Sequence, residues 1–454
     1  MSLPTLSPSQ HAIIAEEVRK QHIPGLSVAM VSDGKVISAE AFGWRNVERQ
    51  LPMTVNTITP IASLTKSMTA VAIMRLTEEG KLSLDEPVSA YLPDFRLADA
   101  EATRRVTLRM LLAHTSGLGA TGHQDRVFKE DSPPYPDRAA LVARLVETSP
   151  QTPPGTFFSY SNEGYAVLGL LVDRLSGMSA EAYLQTHLFD PLEMRDTCMR
   201  FTDWRAADDR AWGYTHSEDG FTPSVMPKDY TAYAAGGGVC SSAIDMARYL
   251  IATMDYDNSP LLAGGSLDQM HSVSAAFGDT GWGYGFGWSL GWSAGRKVIE
   301  HSGGHPGHTT YLLALPWQKL GMVILSNGAV EDIGWLAERL MSDLLGAPLY
   351  RTESTQPLPF RTRYPQPDSE TLATYTGMYT DKDGGMGSIV VSVVDGELTL
   401  TRRRPDFPDQ WFTTLALGQD RFLTRRWASY VTFLRNDRQE VTGMLGNGVY
   451  FAKS

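Results

Sequence analysis

Apolar residues near the N-terminus first recur at helical spacing and then fall into two strand-like runs. The helical positions are Ile13, Ile14 and Val18, which predict an amphipathic N-terminal helix. The two runs extend from Leu26 to Val31 and from Lys35 to Phe42, with Ser32-Asp33-Gly34 between them. Aspartate and glycine between apolar runs are typical of a tight turn, so the pattern predicts a β-hairpin.

Helical periodicity dominates the next part of the chain. A helix is predicted from Leu64 to about Glu79, followed by Gly80 at a C-cap position; its apolar positions are Met68, Val71, Ala72 and Leu76. A second helix is predicted from Asn162 to Ser176, ending at Gly177. The rest of the segment between about 81 and 260 is rich in helices, prolines and loops, which indicates an inserted helical region.

Strand patterns return after this helical region. Runs at Lys297–Glu300, Thr309–Leu315 and Met322–Ser326 precede a helix predicted from about Asp332 to Leu345. We therefore expect an α/β fold, in which an antiparallel sheet built from both ends of the segment is flanked by helices and carries an all-helical subdomain.

A second unit is predicted at the C-terminus. The proline-rich segment 351–367 has linker composition and separates a catalytic domain over 1–350 from a small domain over 368–454. Short alternating runs in that domain predict a small antiparallel β-barrel: Ile389–Val394, Leu398–Arg402, Trp411–Leu417, Arg421–Thr424 and Tyr430–Arg435. Turn sequences such as Asp395-Gly396 and Gly446-Asn447-Gly448 separate the predicted strands.

The net charge and the cysteine content of the chain limit the classes of binding partner and of cellular location that we expect. The chain has 454 residues, a formal net charge of −11 and a pI near 5.4, which argues against binding to nucleic acid or to an anionic membrane. Cys198 and Cys240 are far apart in sequence and indicate two buried free thiols rather than a disulfide framework. Neither a signal peptide nor an apolar run long enough to cross a bilayer is visible, so we expect a soluble cytoplasmic protein.

The first candidate for chemistry is Ser63-Leu64-Thr65-Lys66 at the start of the long predicted helix. Lys66 lies one helical turn after Ser63, so its amine can remove the hydroxyl proton once burial has lowered its pKa. The helix N-terminus adds positive potential where an oxyanion would form. The same Ser-x-x-Lys pattern at Ser32 and Lys35 is interpreted as part of the hairpin turn.

The second candidate is Tyr160-Ser161-Asn162, which stands in a loop before a predicted helix. A tyrosine there can exchange a proton with a nearby lysine, and the Asn162 amide can contact a substrate carbonyl. Tyr256-Asp257-Asn258 has the same pattern, but it follows an apolar helix and is interpreted as ordinary loop.

The third candidate is His301-Ser302-Gly303-Gly304 at the end of a strand. Its glycines allow a strand edge to approach a substrate, and the Gly304 N–H can join the Ser63 N–H in an oxyanion hole. The neighbouring His305-Pro306-Gly307 competes for this role, although its proline favours a turn.

Two other patterns favour structural interpretations, so no metal ion or cofactor is expected. His301, His305 and His308 could suit zinc, but the glycines and prolines around them favour a strand-end loop over rigid ligand positions. The segment from Gly281 to Gly287 lacks the spacing of a dinucleotide loop and is interpreted as an aromatic turn.

Taken together, the motifs resemble those of the serine β-lactamase and penicillin-binding-protein superfamily, over about residues 10 to 345. The match is densest with the branch of class C β-lactamases, D-aminopeptidases and family VIII esterases. Its landmarks are Ile61-Ala62-Ser63-Leu64-Thr65-Lys66, Leu111 to Leu118, Pro154-Gly155, Tyr160-Ser161-Asn162, Gly236-Gly237-Gly238 and His301-Ser302-Gly303-Gly304. The resemblance implies that Ser63 is the acylated nucleophile, that Lys66 and Tyr160 transfer its proton, and that Asn162, His301 and Gly304 contact the substrate.

One difference from the penicillin-recognising members concerns the third motif. They have a lysine that pairs with the substrate carboxylate, whereas this chain has His301, a weaker and pH-dependent cation. The relatives with histidine there are D-aminopeptidases, amidases, esterases, and acyl-transferring or peptide-cyclising members. The resemblance therefore favours these activities over that of a β-lactamase or D-Ala carboxypeptidase.

The C-terminal segment from Thr376 to Tyr379 resembles the start of the lipocalin-like domain found in several relatives. Among these are penicillin-binding-protein-type thioesterases, which cyclise nonribosomal peptides. The leading expectation is hydrolysis of an amide or ester through acyl-Ser63, and the alternative is acyl transfer or peptide cyclisation. The expected partner is a small-molecule or peptide acyl substrate, or a thioester on a carrier protein. A non-catalytic binding protein is disfavoured, because all three motifs are present.

Overall fold

The structure is a computed structural model that describes residues 6–119, 135–217, 220–226, 230–276, 282–330, 333–349, 367–381, 388–404, 407–418, 420–424, 430–446 and 449–453. The helices are α1 Pro8–Lys20, α2 Thr65–Glu78, α3 Val88–Tyr91, α4 Ala100–Arg105, α5 Leu108–Leu112, α6 Arg138–Arg144, α7 Asn162–Ser176, α8 Ala180–Leu184, α9 Phe201–Ala206, α10 Ala234–Gly237, α11 Ala243–Met254, α12 Gly264–Met270, α13 Ile333–Leu345 and α14 Ser369–Tyr375.

The strands before the predicted linker are β1 Gly25–Ser32, β2 Lys35–Asn46, β3 Leu51–Pro52, β4 Thr59–Pro60, β5 Tyr214–Ser217, β6 Gly220–Pro223, β7 Cys240–Ser241, β8 Ala275–Ala276, β9 Gly283–Tyr284, β10 Ser289–Ser293, β11 Arg296–His305, β12 His308–Leu315 and β13 Leu320–Ser326. Those after it are β14 Gly377–Asp381, β15 Ser388–Val394, β16 Glu397–Arg404, β17 Phe407–Gly418, β18 Arg421–Thr424, β19 Tyr430–Arg435, β20 Val441–Gly446 and β21 Val449–Lys453.

Nine strands form one antiparallel sheet in the order β3-β2-β1-β13-β12-β11-β10-β9-β8. The first strand, β1, pairs along its length with β13, so the two ends of the segment do meet in the sheet as predicted. The predicted N-terminal hairpin is confirmed, and Asp33 and Gly34 have φ angles of 48° and 74° in its turn. Positive φ at both central residues is what a type I′ hairpin turn requires.

Alternation along the central strands divides the apolar core into two layers. Val28 and Ile324 pack on one face of the sheet against α1 and α13. Ala29 and Val323 face the opposite side, where α2, α11 and the helical region lie. Successive side chains of a strand point to opposite faces, so one hydrophobic strand supplies both layers.

The helix boundaries follow from local capping. Ser7 caps α1 and forms a capping box with Gln10. Ser161 caps α7 by accepting a hydrogen bond from the Gly164 N–H, and Gly177 ends that helix with a φ of 73°. The helix predicted over residues 162–176 is thus confirmed with the predicted ends.

The middle of the chain is mainly helical, as predicted, but it also contains short strands. The β5–β6 hairpin and the two-stranded β4–β7 pair both lie outside the main sheet. The β4–β7 pair matters for the site, since it holds the segment that leads into Ser63.

The strands after the predicted linker close into an eight-stranded antiparallel barrel, because β14 pairs with both β15 and β21. Tyr375, Tyr379, Phe422 and Phe433 contribute to its apolar interior. The five predicted strands are present, and β14, β20 and β21 complete the barrel. The specific lipocalin-like relationship and the domain boundaries stay predictions. The linker falls almost entirely outside the described residues, as do Asn447 and Gly448 of one predicted turn.

The described part of the chain contains no helix that is both long and apolar enough to cross a bilayer.

Candidate active site

Ser63 lies in a 3₁₀ turn, Ala62–Leu64, that leads directly into α2. Ala62 has a φ of 49°, a strained value for a residue with a side chain, and this bend immediately precedes the serine. Strain of this kind persists only where the surroundings enforce it. Here Thr310 on β12 contributes, because its hydroxyl donates to the Ile61 carbonyl at 2.9 Å.

The close approach of β11 to this turn depends on Gly303. A Cβ atom at position 303 would lie 2.3 Å from the Ile61 carbonyl oxygen and 2.4 Å from the Thr310 hydroxyl oxygen. Any larger residue would therefore push the strand away from Ser63.

Lys66 is completely buried, and its Nζ contacts three oxygens. The distances are 3.2 Å to Ser63 Oγ, 2.6 Å to Asn162 Oδ1 and 2.8 Å to the Gly236 carbonyl. Burial lowers the Lys66 pKa to about 7, although the Glu163 carboxylate acts in the opposite direction. A substantial fraction of Lys66 is therefore neutral near pH 7, with two acceptors for its hydrogens and Ser63 next to its nitrogen.

Tyr160 completes the group around the serine. Its side chain hydrogen-bonds to Ser63, and Lys66 Nζ lies 4.7 Å from the centre of its ring. Burial raises the Tyr160 pKa above its ordinary value, and the hydrogen bond with Ser63 offsets this only in part. Tyr160 is thus a phenol near neutral pH, which leaves Lys66 as the stronger base.

The loop that carries Tyr160 is held by a buried histidine. His114 Nδ1 accepts a hydrogen bond from the Ser161 N–H at 3.0 Å, and its ring centre lies 4.2 Å from that of Tyr160. Burial keeps the His114 pKa well below its usual range, so the imidazole is neutral. His114 belongs to a landmark segment of the sequence, but its contact with this loop was not predicted.

Glu163 is a second residue that the sequence reasoning missed. It is buried in the first turn of α7, where Tyr233 donates to one carboxylate oxygen at 3.4 Å and Ser161 to the other at 3.4 Å. Its charge favours the ammonium form of Lys66. A carboxylate at the start of an otherwise apolar helix, next to Asn162, was the available signal.

Gly304 lies on the open side of β11, with nothing within 4 Å of the position a Cβ atom would occupy. The pairing of β11 with β10 ends at Glu300, so the strand beyond that residue faces the Ser63 turn instead. His305 pairs with His308, and Pro306-Gly307 forms the β-turn between β11 and β12. The turn interpretation of His305-Pro306-Gly307 is therefore confirmed.

His301 is placed differently from the expected pH-dependent cation. Its Nδ1 lies 2.6 Å from the Ser302 carbonyl oxygen, and its Nε2 lies 2.8 Å from the Tyr284 hydroxyl. Burial lowers the His301 pKa to about 4, helped by the charge of Lys66. The ring is neutral near pH 7, with Nδ1–H donating to the carbonyl and Nε2 accepting from the phenol.

Tyr284 and Gly287 connect the predicted aromatic turn to this site. Gly287 has a φ of 77°, and a Cβ there would lie 2.8 Å from the Lys66 carbonyl oxygen. The turn packs directly against the first turn of α2, which places Tyr284 beside His301. Its alternating glycines and aromatics serve close packing, as the sequence indicated. Gly281, the first residue of the segment, is outside the described part.

The other two histidines of the cluster point to separate partners. His305 Nε2 lies 2.7 Å from the Gly237 carbonyl, and His308 contacts the carbonyls of Pro306 and Ala211. Across the residues that the structure describes, no group of three or more His, Cys, Asp or Glu side chains is arranged to hold a metal ion.

Comparisons with known proteins identify a family and a fold that this chain shares. The family model described as Beta-lactamase matches residues 11–340. Penicillin-binding protein 4 of Amycolatopsis lactamdurans is 30% identical over 342 residues, which cover 72% of this chain and 87% of that protein. The octameric penicillin-binding protein homologue from Pyrococcus abyssi superposes with a TM-score of 0.69 at 28% identity, covering 98% of this chain and 99% of that one. A crystal structure of SurE has a TM-score of 0.72 at 23% identity and covers 98% of both chains, a likeness in fold.

Proposed function

The chain belongs to the beta-lactamase family, whose members are serine hydrolases and acyltransferases, and from this premise we propose that it cleaves an amide or ester through an acyl intermediate on Ser63. The observation that carries the proposal is the contact of the buried Lys66 amine with the Ser63 hydroxyl at 3.2 Å. A serine hydroxyl is a weak nucleophile without a base at this distance.

In the proposed acylation step, neutral Lys66 donates its two hydrogens to Asn162 Oδ1 and to the Gly236 carbonyl. Its lone pair then faces Ser63 and takes the hydroxyl proton while Oγ attacks the substrate carbonyl carbon. Asn162 and Gly236 thus orient the base. Asn162 is also the residue for which the sequence predicts a substrate contact.

The leaving group needs a proton as it departs. Tyr160 is assigned this role, because it is a phenol that hydrogen-bonds to Ser63 and lies beside Lys66. It gives its proton to the leaving nitrogen or oxygen and regains one from the Lys66 ammonium. Deacylation follows the reverse course, with water taking the place of the leaving group.

The developing oxyanion is assigned to the backbone N–H groups of Ser63 and Gly304. The 3₁₀ turn lies against the end of β11 that extends beyond its pairing with β10, and Gly304 carries no side chain that would fill the space between them. Donors fixed in this way stabilise a tetrahedral intermediate without reorganising during the reaction.

His301 bears on the choice of substrate. Since its ring is neutral and both nitrogens are hydrogen-bonded within the protein, it supplies no permanent charge for a substrate carboxylate. This supports an amide or ester without a carboxylate beside the scissile bond, such as an amino-acid amide or a simple ester, over a penicillin.

The test is to incubate the protein with a fluorophosphonate and locate the adduct by intact mass and peptide mapping. We expect one adduct, on the peptide that contains Ser63, and none on the peptide that contains Ser32. A folded protein that stays unlabelled, or that is labelled on another serine, would contradict the proposal.

A panel of aryl esters and of L- and D-amino-acid amides, each assayed with and without an added amine, then defines the reaction. An acid product supports hydrolysis. An amide formed with the added amine, in excess over the acid, would instead identify the protein as an acyltransferase or cyclase that uses the same acyl-Ser63.

A further inference from the structure

Cys198 and Cys240 are far apart in sequence but lie directly opposite each other in the fold. Each donates its backbone N–H to the carbonyl of the other, at 2.9 and 2.8 Å, so they form an antiparallel bridge. The Cys240 thiol also hydrogen-bonds to the Cys198 sulfur. The sequence predicted free thiols, and both are free, but their pairing was not expected.

The backbone geometry at this bridge suits a disulfide. Residues that exchange both hydrogen bonds have Cα atoms about 5.5 Å apart, within the range that a disulfide spans. Their Cβ atoms are typically about 4.5–5.5 Å apart, whereas a relaxed disulfide needs about 3.8 Å. An S–S bond here would therefore draw the two segments together by about 1 Å.

Side-chain contacts hold the two segments in register. Thr197 Oγ1 lies 2.7 Å from Ser241 Oγ, and it donates to Asp245 Oδ2 at 2.9 Å. The same carboxylate oxygen accepts from the Asp196 N–H at 2.7 Å. The two thiols are thus positioned by their neighbours before any bond forms.

We propose that Cys198 and Cys240 are a reversible disulfide site, oxidised by a small-molecule disulfide such as oxidised glutathione. Cys198 is the entry point, because its side chain is partly exposed whereas Cys240 is fully buried. The hydrogen bond from Cys240 lowers the Cys198 pKa, which favours its thiolate, the nucleophilic form.

The exchange proceeds in two balanced steps. The Cys198 thiolate attacks one sulfur of the oxidant, which forms a mixed disulfide and releases one glutathione thiolate. Cys240 then loses its proton and attacks the Cys198 sulfur, which forms the internal S–S bond and releases the second glutathione. Two thiols of the protein are oxidised, and one oxidant disulfide is reduced to two thiols.

The pair is connected to the segment around Ser63. Cys240 pairs with Pro60 on its other side, and the neighbouring Val239 accepts from the Ile61 N–H at 2.9 Å. Val239 also donates its own N–H to the Thr65 hydroxyl at 3.1 Å. Ser63 lies between Ile61 and Thr65, so a shift of residues 239–240 is transmitted to the residues on both sides of it.

The experiment treats the full-length protein with oxidised glutathione, denatures it, alkylates the remaining thiols and measures its mass. We expect both alkylation sites to disappear without a glutathione adduct, and dithiothreitol to restore them. Two remaining thiols, a stable glutathione adduct on Cys198 or a disulfide between two molecules would each overturn the proposal.

Cys198→Ser is the matched control, because the side chain is partly exposed and the fold can be verified by circular dichroism. Its Cys240 should stay a thiol under the same treatment. Oxidation of Cys240 in that variant would show that it reacts independently of Cys198 and would overturn the assignment. Cys240→Ala, if it folds, should trap the mixed disulfide on Cys198.

A second measurement follows the rate of fluorophosphonate labelling before and after oxidation. We expect oxidation to slow labelling about tenfold or more, since a displacement of about 1 Å can cost about 10²-fold in rate. Dithiothreitol should reverse the effect, and Cys198→Ser should not show it. Equal rates would overturn the connection to Ser63. Failure of the reduced protein to label at all would count against the proposed function, while the mass measurement still decides the disulfide.

Discussion

Lys35 and Lys66 each follow a serine by three residues, yet the fold gives them opposite surroundings. Lys35 is exposed at the start of β2, and the Ser32 hydroxyl donates to the carboxylate of the neighbouring Asp33 at 3.4 Å. Lys66 has no exposed surface, and its amine contacts Ser63 and two further oxygens. The sequence pattern is the same, and the difference is burial.

This comparison shows which part of the site makes a lysine into a base. The oxygens beside Lys66 come from Asn162 and Gly236, which belong to the helical region and not to the motif itself. Removing the amine from water is what lowers its pKa to about 7. The catalytic signal is therefore the motif together with the residues that enclose it.

The largest expected effect comes from removing either Ser63 or Lys66. Ser63→Ala and Lys66→Ala should each reduce turnover by about 10³-fold or more, and the double variant should lose little beyond either single variant. Steady-state kinetics on the best substrate of the panel measures this.

The matched controls are Ser32→Ala and Lys35→Ala, which should retain the native rate. If either control loses activity comparably, the distinction between the two serine–lysine pairs fails.

The two Tyr-x-Asn segments extend the comparison. Tyr160→Phe should slow acylation by about 10²-fold, the usual contribution of a positioned proton donor. Tyr256 instead hydrogen-bonds to His271 Nδ1 at 2.8 Å. Tyr256→Phe should cost about 1 kcal/mol of unfolding free energy and leave the labelling rate unchanged. A reversal of these two outcomes would reject Tyr160 as the donor.

Burial of Lys66 should also appear in the stability of the protein. Its pKa is about 7 when folded and returns to 10.5 on unfolding, so the unfolded state binds more protons between these values. The unfolding free energy should therefore rise by about 1 kcal/mol per pH unit from about pH 7 to about pH 9, relative to Lys66→Met. Lys35→Met provides the exposed control. The measurement is urea unfolding at a series of pH values. If the unfolding free energies of the native protein and Lys66→Met change with pH in parallel, the lowered pKa is contradicted.

A smaller effect is expected from the carboxylate next to Asn162. Glu163 stabilises the Lys66 ammonium, so Glu163→Gln should lower the Lys66 pKa further and move the rise of the labelling rate to lower pH. Glu101→Gln, an exposed change on α4, should leave the profile in place. If the midpoint of the pH profile of labelling moves to higher pH in Glu163→Gln, the carboxylate does not act through its charge.

Much of the fold follows from local sequence signals. Gly80 and Gly177 mark helix ends that the structure contains, and Asp33-Gly34 marks the hairpin turn. The glycines at positions 303 and 304 predicted that a strand edge can approach the substrate, and in the structure Gly303 allows β11 to approach the Ser63 turn. Helix caps, turns and the periodicity of apolar residues depend on residues that are close in the chain, so they can be predicted from the sequence directly.

The protonation states of the site residues and their charged neighbours could not be predicted in the same way. His301 was expected to carry a pH-dependent charge, but Tyr284 and the Ser302 carbonyl occupy its ring nitrogens in a buried position. Glu163 and the pairing of Cys198 with Cys240 were also missed. The contact of Tyr284 with His301 and the pairing of the cysteines depend on which distant segments the fold brings together, which no local pattern specifies. For Glu163 a local signal existed, a carboxylate at the start of an apolar helix, but its proximity to Lys66 also depends on the fold.

Because β1 pairs with β13, the main sheet can be completed only after β13 has been synthesised. During synthesis the β1–β2 hairpin emerges before β13, the long-range partner of β1, which is translated only after the whole helical region. Until Ser326 has left the ribosome, β1 presents an apolar, unpaired edge, the kind of surface that invites association between chains. Long-range strand pairing is also slow to form. Completion of the sheet, and with it the close approach of Gly303 to the Ser63 turn, is therefore a late event in folding.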